Sequence, residues 1–301
     1  LLPDWAVPRT PIKSDLDVAF AAGISLKSLD DFVRAAPAFA GCWRARQALQ
    51  CAAVAVRLMG RAEHPAALRD AVLLTAPGDN PGPVGRTFLA FRKLTTRRGA
   101  ITTPFLKELA DLLDLAFDDQ LAYTRDRLDE ALHSSRAVPF AAADLIAAIR
   151  STRPDAEILA WALADWLIAK KLAWDFAVPL LISQRYGSAF RSPNGRGRLL
   201  PGEAGFERAV CLALVESIQG ALRTASDIAR RADQLAAVAP KLRTKGKETI
   251  LQKLLEEDAI AASAPGAGLS RFASARLFER LQGFGAVREL SGRTTFRIYG
   301  L

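Results

Sequence analysis

Few side chains in this sequence have the chemistry to make or break a bond. Two histidines, His64 and His133, and three cysteines, Cys42, Cys51 and Cys211, are spread over 301 residues. That is too few for a disulfide framework or a Cys/His zinc module. Cys42 and Cys51 stand nine residues apart, and about 100° per residue sets them on opposite sides of one helix rather than around one metal. His64 precedes Pro65 and reads as a helix-start residue. Neither H-E-x-x-H nor G-x-S-x-G occurs, so no metalloprotease helix or nucleophile elbow is expected. The Gly-rich stretch Pro77–Gly85 lacks the lysine and hydroxyl of a phosphate-binding loop, and no strand-linked G-x-G-x-x-G exists. Asp165, between Trp161 and Trp166, is the one carboxylate expected to be buried. Its pKa would rise there unless it meets Lys170, an arginine or a backbone donor, and a structural ion pair is the favoured reading. No catalytic residue, cofactor or metal follows, and the chain reads as a non-enzyme.

What the sequence offers instead is arginine. Lys and Arg number 41 against 32 Asp and Glu, a net charge of +9. A surplus of that size favours acidic partners, nucleic acid among them. It is uneven: residues 241–301 hold eleven basic against six acidic residues, whereas residues 1–240 hold thirty against twenty-six. A second concentration lies in the polar break Tyr186–Gly205. Arg185, Arg191, Arg196 and Arg198 follow one another there with no acid among them. Such a loop either grips phosphates through Arg191, Arg196 and Arg198 or is simply solvated.

The elements that must position these residues are mostly helices. Half the residues are hydrophobic, which excludes a disordered tail or a collagen-like repeat, and the length suits two domains. From Asp15 to about Pro240 apolar residues recur at three and four, starting with Leu16, Phe20, Leu26, Leu29 and Phe32, and Gly23 is expected to bend or split the first helix. Pro77-Gly-Asp-Asn-Pro-Gly-Pro83 is a breaker, and Thr103 reads as the cap of a helix with Pro104 in its first turn. Further helices are predicted over 118–134, 139–150, 155–174 and 206–239. Leu1–Ser14, with Pro3, Pro8 and Pro11, reads as an extended arm rather than a signal peptide. The stretch Ile158–Ile182 carries Asp165, Lys170, Lys171 and Asp175, and each charge would cost about 2.5–3.5 kcal/mol at a bilayer centre. A cytoplasmic protein with no membrane partner is therefore expected.

The composition changes at Pro240. Lys241–Lys247 reads as a basic linker, so residues 1–240 are expected as an all-helical body and 241–301 as a separable module. Within the module a helix is predicted over 247–257, and a weakly helical stretch near Asp258–Ala264 ends in Pro265-Gly266. Ser270 then caps a second strong helix whose buried stripe is Phe272, Ala273, Leu277, Phe278 and Leu281. Two short strands, Ala286–Leu290 and Thr294–Tyr299, follow around Ser291-Gly292. This order reads as a winged helix-turn-helix, and the fold class as mainly α. In such a module the second helix enters the major groove and the hairpin lies along the backbone. Arg271 and Ser274 would then face bases, while Arg276, Arg280, Arg293, Thr294 and Arg297 would meet phosphates.

Several segments are similar to known families. Pro77–Arg86, Arg276-Leu-Phe-Glu-Arg-Leu281, Gly285–Arg293 and Phe296-Arg-Ile-Tyr-Gly-Leu301 resemble a bacterial family of proteins of unknown function, over nearly the whole chain. The C-terminal part also looks like the winged helix at the end of certain Fic-related proteins, as does Ala164-Asp-Trp-Leu-Ile-Ala with Val178-Pro-Leu-Leu181. The Fic catalytic signature is absent, so this likeness implies the helix-turn-helix and no adenylylation. The leading expectation is a non-enzymatic protein that binds double-stranded DNA through its C-terminal winged helix, its helical body serving oligomerisation or a protein partner. The alternative is a helical scaffold whose winged helix docks protein.

Overall fold

The computed structural model describes residues 2, 5, 12, 14–76, 78–192, 195, 197–263 and 268–301. Most of the extended arm, Pro77, Arg196 and Pro265-Gly266 lie outside the described residues. The chain starts with α1 (Asp15–Ala35), whose N-cap Ser14 accepts a bond from the Asp17 N–H. Gly23 does not split this helix, which is continuous through it. Its inner face also differs from the expected stripe: Leu16 and Phe20 are 82% and 58% exposed, while Val18, Ala21 and Ala22 pack against Cys211 and Val215. Small residues let the two backbones approach closely, which the bulky pair would prevent.

The centre of the molecule is α2 (Ala40–Leu58), buried around most of its circumference. It packs on α3 (Pro65–Leu73), α4 (Gly82–Thr96), the 3₁₀ turn Leu181–Gln184 and α10 (Phe206–Val238). Trp43 of α2 donates its indole N–H to the Ala221 carbonyl of α10 at 2.9 Å. Thirty-three residues make α10 roughly 50 Å long, and α1 and α8 (Val138–Thr152) lie along it. Between them come α5 (Thr103–Leu112), α6 (Asp119–Ala122), α7 (Thr124–His133) and α9 (Glu157–Lys171). The helix predicted over 118–134 is thus two, broken at Tyr123, and the cap of α5 is Thr102, not Thr103. Among the described residues no helix is long and apolar enough to cross a membrane.

The chain then forms α11 (Lys247–Glu256), β1 (Ile260–Ala261), α12 (Arg271–Gly283), β2 (Arg288–Glu289) and β3 (Ile298–Gly300). The strands make an antiparallel sheet in the order β1-β3-β2, with Ile260 opposite Tyr299 and Glu289 opposite Tyr299 on the other side. The stretch expected to be weakly helical near Asp258–Ala264 contributes a strand instead. α12 sits on the sheet through Phe278, stacked on Tyr299 at 4.8 Å.

The expected boundary at 240/241 falls at the end of α10, yet a single apolar core runs from Leu26 through Ile250, Leu254 and Phe278 to Leu301. α11 lies directly on α2. At Gly41 a Cβ would stand 2.8 Å from Glu256 Cα and 3.0 Å from its carbonyl oxygen, so only glycine permits this approach. Gly41→Ala is expected to destabilise the fold by about 1–3 kcal/mol through overpacking. Gly23→Ala, where a Cβ meets nothing within 4 Å, is expected to stabilise it by about 0.5–1 kcal/mol. Urea unfolding of the two variants checks both signs at once.

Candidate functional site

Five exposed residues along α12 define its outward side. Ser274, Leu277, Phe278 and Leu281 are buried, while Arg271, Phe272, Arg276, Glu279 and Arg280 are exposed. Phe272, expected in the buried stripe, is 82% exposed. Ser270 caps the helix as expected, accepting from the Ala273 N–H at 3.2 Å. At 100° per residue Arg276 and Arg280 lie on one edge of this outward face, Arg271 on the other, and Phe272 with Glu279 between them.

The segment between β2 and β3 is held as a wide loop. Glu289 folds back on it, accepting from the Ser291 N–H at 2.6 Å and the Gly292 N–H at 3.0 Å. Burial would raise the Glu289 pKa, but these donors outweigh it and hold the carboxyl below its usual range. Ser291 Oγ in turn accepts from the Ile298 N–H at 3.2 Å. The strands expected from 286 and 294 are thereby shortened to Arg288–Glu289 and Ile298–Gly300. Thr294 and Phe296 are exposed, and Arg297 is half-buried. Arg271, Glu279, Thr294, Phe296 and Arg297 line a groove of about 540 Å³ between α12 and this loop. Arg297 stands 4.0 Å from Glu279.

Two residues expected at the DNA surface are placed elsewhere. Ser274 is fully buried and donates to the Ala262 carbonyl at 2.7 Å, because its position falls on the inner face of α12. Arg293 pairs with Asp70 of α3, tying the loop to the helical body. The structure therefore brings Arg271, Thr294 and Arg297 to one groove, leaves Arg276 and Arg280 exposed on the neighbouring edge, puts Ser274 in the core and ties Arg293 to Asp70.

The arginine loop is partly neutralised by elements distant in sequence. Arg185 is buried and donates to Glu157 of α9 at 3.0 Å. Arg198 donates to the Gly187 carbonyl at 2.8 Å and lies over the Tyr186 ring at 5.2 Å, where Arg57 of α2 also lies, at 4.2 Å. Arg191 and Arg198 face each other across a β-bridge, and Arg191 is exposed. Partial burial and the neighbouring Arg185, Arg191 and Arg57 lower the Arg198 pKa. Arg196 lies outside the described residues.

The three thiols and two of the carboxylates are sequestered, whereas His64 and His133 are exposed. Cys42, Cys51 and Cys211 are free and buried, and burial pushes the Cys42 thiol up to about 12 and Cys211 to about 11. Among the described residues no group of three His, Cys, Asp or Glu side chains comes together to hold a metal ion. Asp165 is buried, but among the described residues it forms no ion pair. Its oxygens accept one bond each from the Leu180 and Leu181 N–H groups, at 2.9 and 3.2 Å, which pins the turn after residue 179 to α9. Burial pushes its carboxyl up to about 7 against the effect of those two donors.

A second buried carboxylate, which sequence reasoning missed, does form ion pairs. Asp258, between α11 and β1, is 4% exposed and bonds Arg46 of α2 through one oxygen and Arg69 of α3 through the other, the latter at 2.6 Å. Arg46 also donates to the Asp258 and Leu301 carbonyls at 3.1 and 3.2 Å. Burial opposes ionisation of Asp258, but the two guanidiniums overcome it and hold the carboxyl below its ordinary value. The signal was present: Arg46 lies four residues from Cys42 and three from Leu49, on the apolar stripe of its helix. With Arg92 donating to Glu257 at 2.7 Å and Gln234 donating to the Phe284 carbonyl at 2.9 Å, the node fixes the C-terminal elements on the body.

A family model described as a protein of unknown function (DUF1403) matches residues 1–301. No curated protein and no solved structure matches the chain.

Proposed function

The chain belongs to the DUF1403 family, and we propose that it is a non-enzymatic protein that binds duplex DNA through α12 and the loop between β2 and β3. The observation that carries this reading is the exposed set Arg271, Arg276 and Arg280 on α12 beside Thr294 and Arg297 of the loop. The order helix, strand, helix, strand, strand with sheet order β1-β3-β2 supports a winged-helix reading. In that reading α12 enters the major groove and the loop follows the backbone. Arg276 and Arg280 then neutralise phosphates, and Arg271 at the first turn reaches base edges. In this reading Arg293 anchors the loop to Asp70.

Fluorescence anisotropy with a labelled duplex over a salt series tests this. Affinity is expected to fall steeply with salt, and Arg276→Ala with Arg280→Ala to flatten the log–log slope by about two, since each phosphate neutralised contributes about 0.9. Arg271→Ala is expected to lower discrimination between sites by about 1–3 kcal/mol. Duplex binding that is absent at low salt, or identical in these variants, overturns the reading.

A second reading has its own observation. Phe272 and Phe296 are 82% and 54% exposed, and Glu279 stands among the arginines. Aromatic groups with mixed charge suit a protein partner better than phosphate. Loss of partner capture on Phe272→Ala with no duplex binding at any salt would favour the docking scaffold.

A further inference from the structure

A cleft of about 700 Å³ opens where α1 gives way to α2, facing the segment after α9 and the outer side of α11. Its size is that of a small-molecule site. Three features of its wall point to an anion. First, Arg44 of α2 and Arg98, just after α4, both lie over the Phe176 ring, at 4.5 and 4.9 Å. Two like charges are thereby held at one aromatic ring. Asp175, 3.8 Å from Arg98, is the carboxylate whose charge acts on Arg44 as well. The lining as a whole sets Arg34, Arg44 and Arg98 against Asp175 and Glu256, three positive charges against two negative. Second, among the described residues no group bonds the buried Arg44 Nε. A buried donor in that state costs free energy that an acceptor would recover. Third, Ala40 and Gly41 bring the first turn of α2 into the cleft. That turn has no side-chain cap and no acidic residue, leaving the positive end of the helix dipole uncompensated.

Much of the remaining wall is apolar. Phe32, Trp43 and Val178 line it alongside Phe176. Phe32 and Trp43 meet edge to face at 4.7 Å, and the Trp43 N–H is already engaged by Ala221, so the indole offers the cleft an apolar surface. The backbone on two sides is held in a conformation that residues other than glycine rarely adopt: Ala36 has φ +42 and Ala173 φ +55. Strain of this kind collects at ligand sites, where the surrounding structure enforces it.

We propose that this cleft is a binding site for a small aromatic carboxylate. The single net positive charge matches a monoanion, the guanidinium forks match the two carboxylate oxygens, and the aromatic walls match a planar ring. Gln252 and Glu256 of α11 form the far rim. The site stands whether or not α12 binds DNA.

The full chain is titrated with 1-naphthoate by calorimetry, beside 1-naphthamide as the neutral isostere. One-to-one binding of the carboxylate with little binding of the amide is expected. Arg44→Ala and Arg98→Ala are each expected to weaken it about tenfold or more, the scale of a charged hydrogen bond. Arg98 is 72% exposed, so Arg98→Ala keeps the test open if Arg44→Ala fails to fold, and circular dichroism and melting check each variant. Equal affinity for amide and carboxylate overturns the proposal, as does unchanged affinity in a folded Arg98→Ala chain. So does an absence of binding at about 10 mM, where even a weak charge-assisted pair registers.

Discussion

Replacing Asp258 by alanine is expected to destabilise the protein by about 3–5 kcal/mol, because two guanidiniums then remain buried without their counter-charge. Arg46 and Arg69 are 6% and 9% exposed at their side chains, so neither can turn outward to water. The loss should register in urea unfolding as a lower midpoint. Of the 5–15 kcal/mol typical of a folded protein, that is a large share. The sign reverses for the whole set: Arg46→Met with Arg69→Leu and Asp258→Leu is expected to come within a few kcal/mol of the wild type, since the cost of desolvating three charges disappears with them. A single-site loss accompanied by near-neutral triple replacement separates an ion-pair node from simple packing. If Asp258→Ala unfolds with the wild-type midpoint, the node contributes nothing and the C-terminal elements are held by the apolar core alone.

The pH dependence of stability is expected to carry the signature of Asp165. Its folded-state pKa of about 7 lies above the ordinary 3.8, so the folded protein holds a proton that the unfolded chain releases. Stability from this group is complete below pH 4, declines as pH rises, and is lost once pH passes about 7. The span corresponds to roughly 4 kcal/mol. Asp258 acts in the opposite sense and in a different window, since its lowered pKa makes its contribution fall only as pH drops below its ordinary range. Asp165→Asn should therefore flatten the profile between pH 4 and 7. It should also lower stability at pH 5, because its amide NH₂ would face one of the two backbone N–H groups that Asp165 accepts. Chemical denaturation at pH 5 and 8 measures both effects. A variant with the wild-type slope would place the titration elsewhere.

Most helices were legible because their signals are local. Ser270 caps α12 and Pro65 opens α3, both as the sequence predicts. Faces were less legible than elements. Leu16, Phe20 and Phe272 look like core by hydrophobicity and stand in solvent, because close packing of α1 on α10 selects alanine and the inner side of α12 selects Ser274. Charge partners were the least legible. Arg185 looked unpaired beside its sequence neighbours and meets Glu157; Arg293 looked like a phosphate contact and meets Asp70. Asp258 and Arg46 are 212 residues apart, and no periodicity links them. Such pairings follow from tertiary proximity, which a one-dimensional pattern does not encode. The same holds for the cleft, whose wall combines α1, α2, α11 and the segment after α9.

The Arg46–Asp258–Arg69 node also sets an order of events during synthesis. At 5–20 residues per second, the 212 positions between Arg46 and Asp258 take about 10–40 s to emerge. From the completion of α3 at residue 73 until residue 258 emerges, the inward arginines of α2 and α3 lack the carboxylate that neutralises them. Burying two unpaired guanidiniums is costly, so this side of the core is expected to close only after residue 258 has been made.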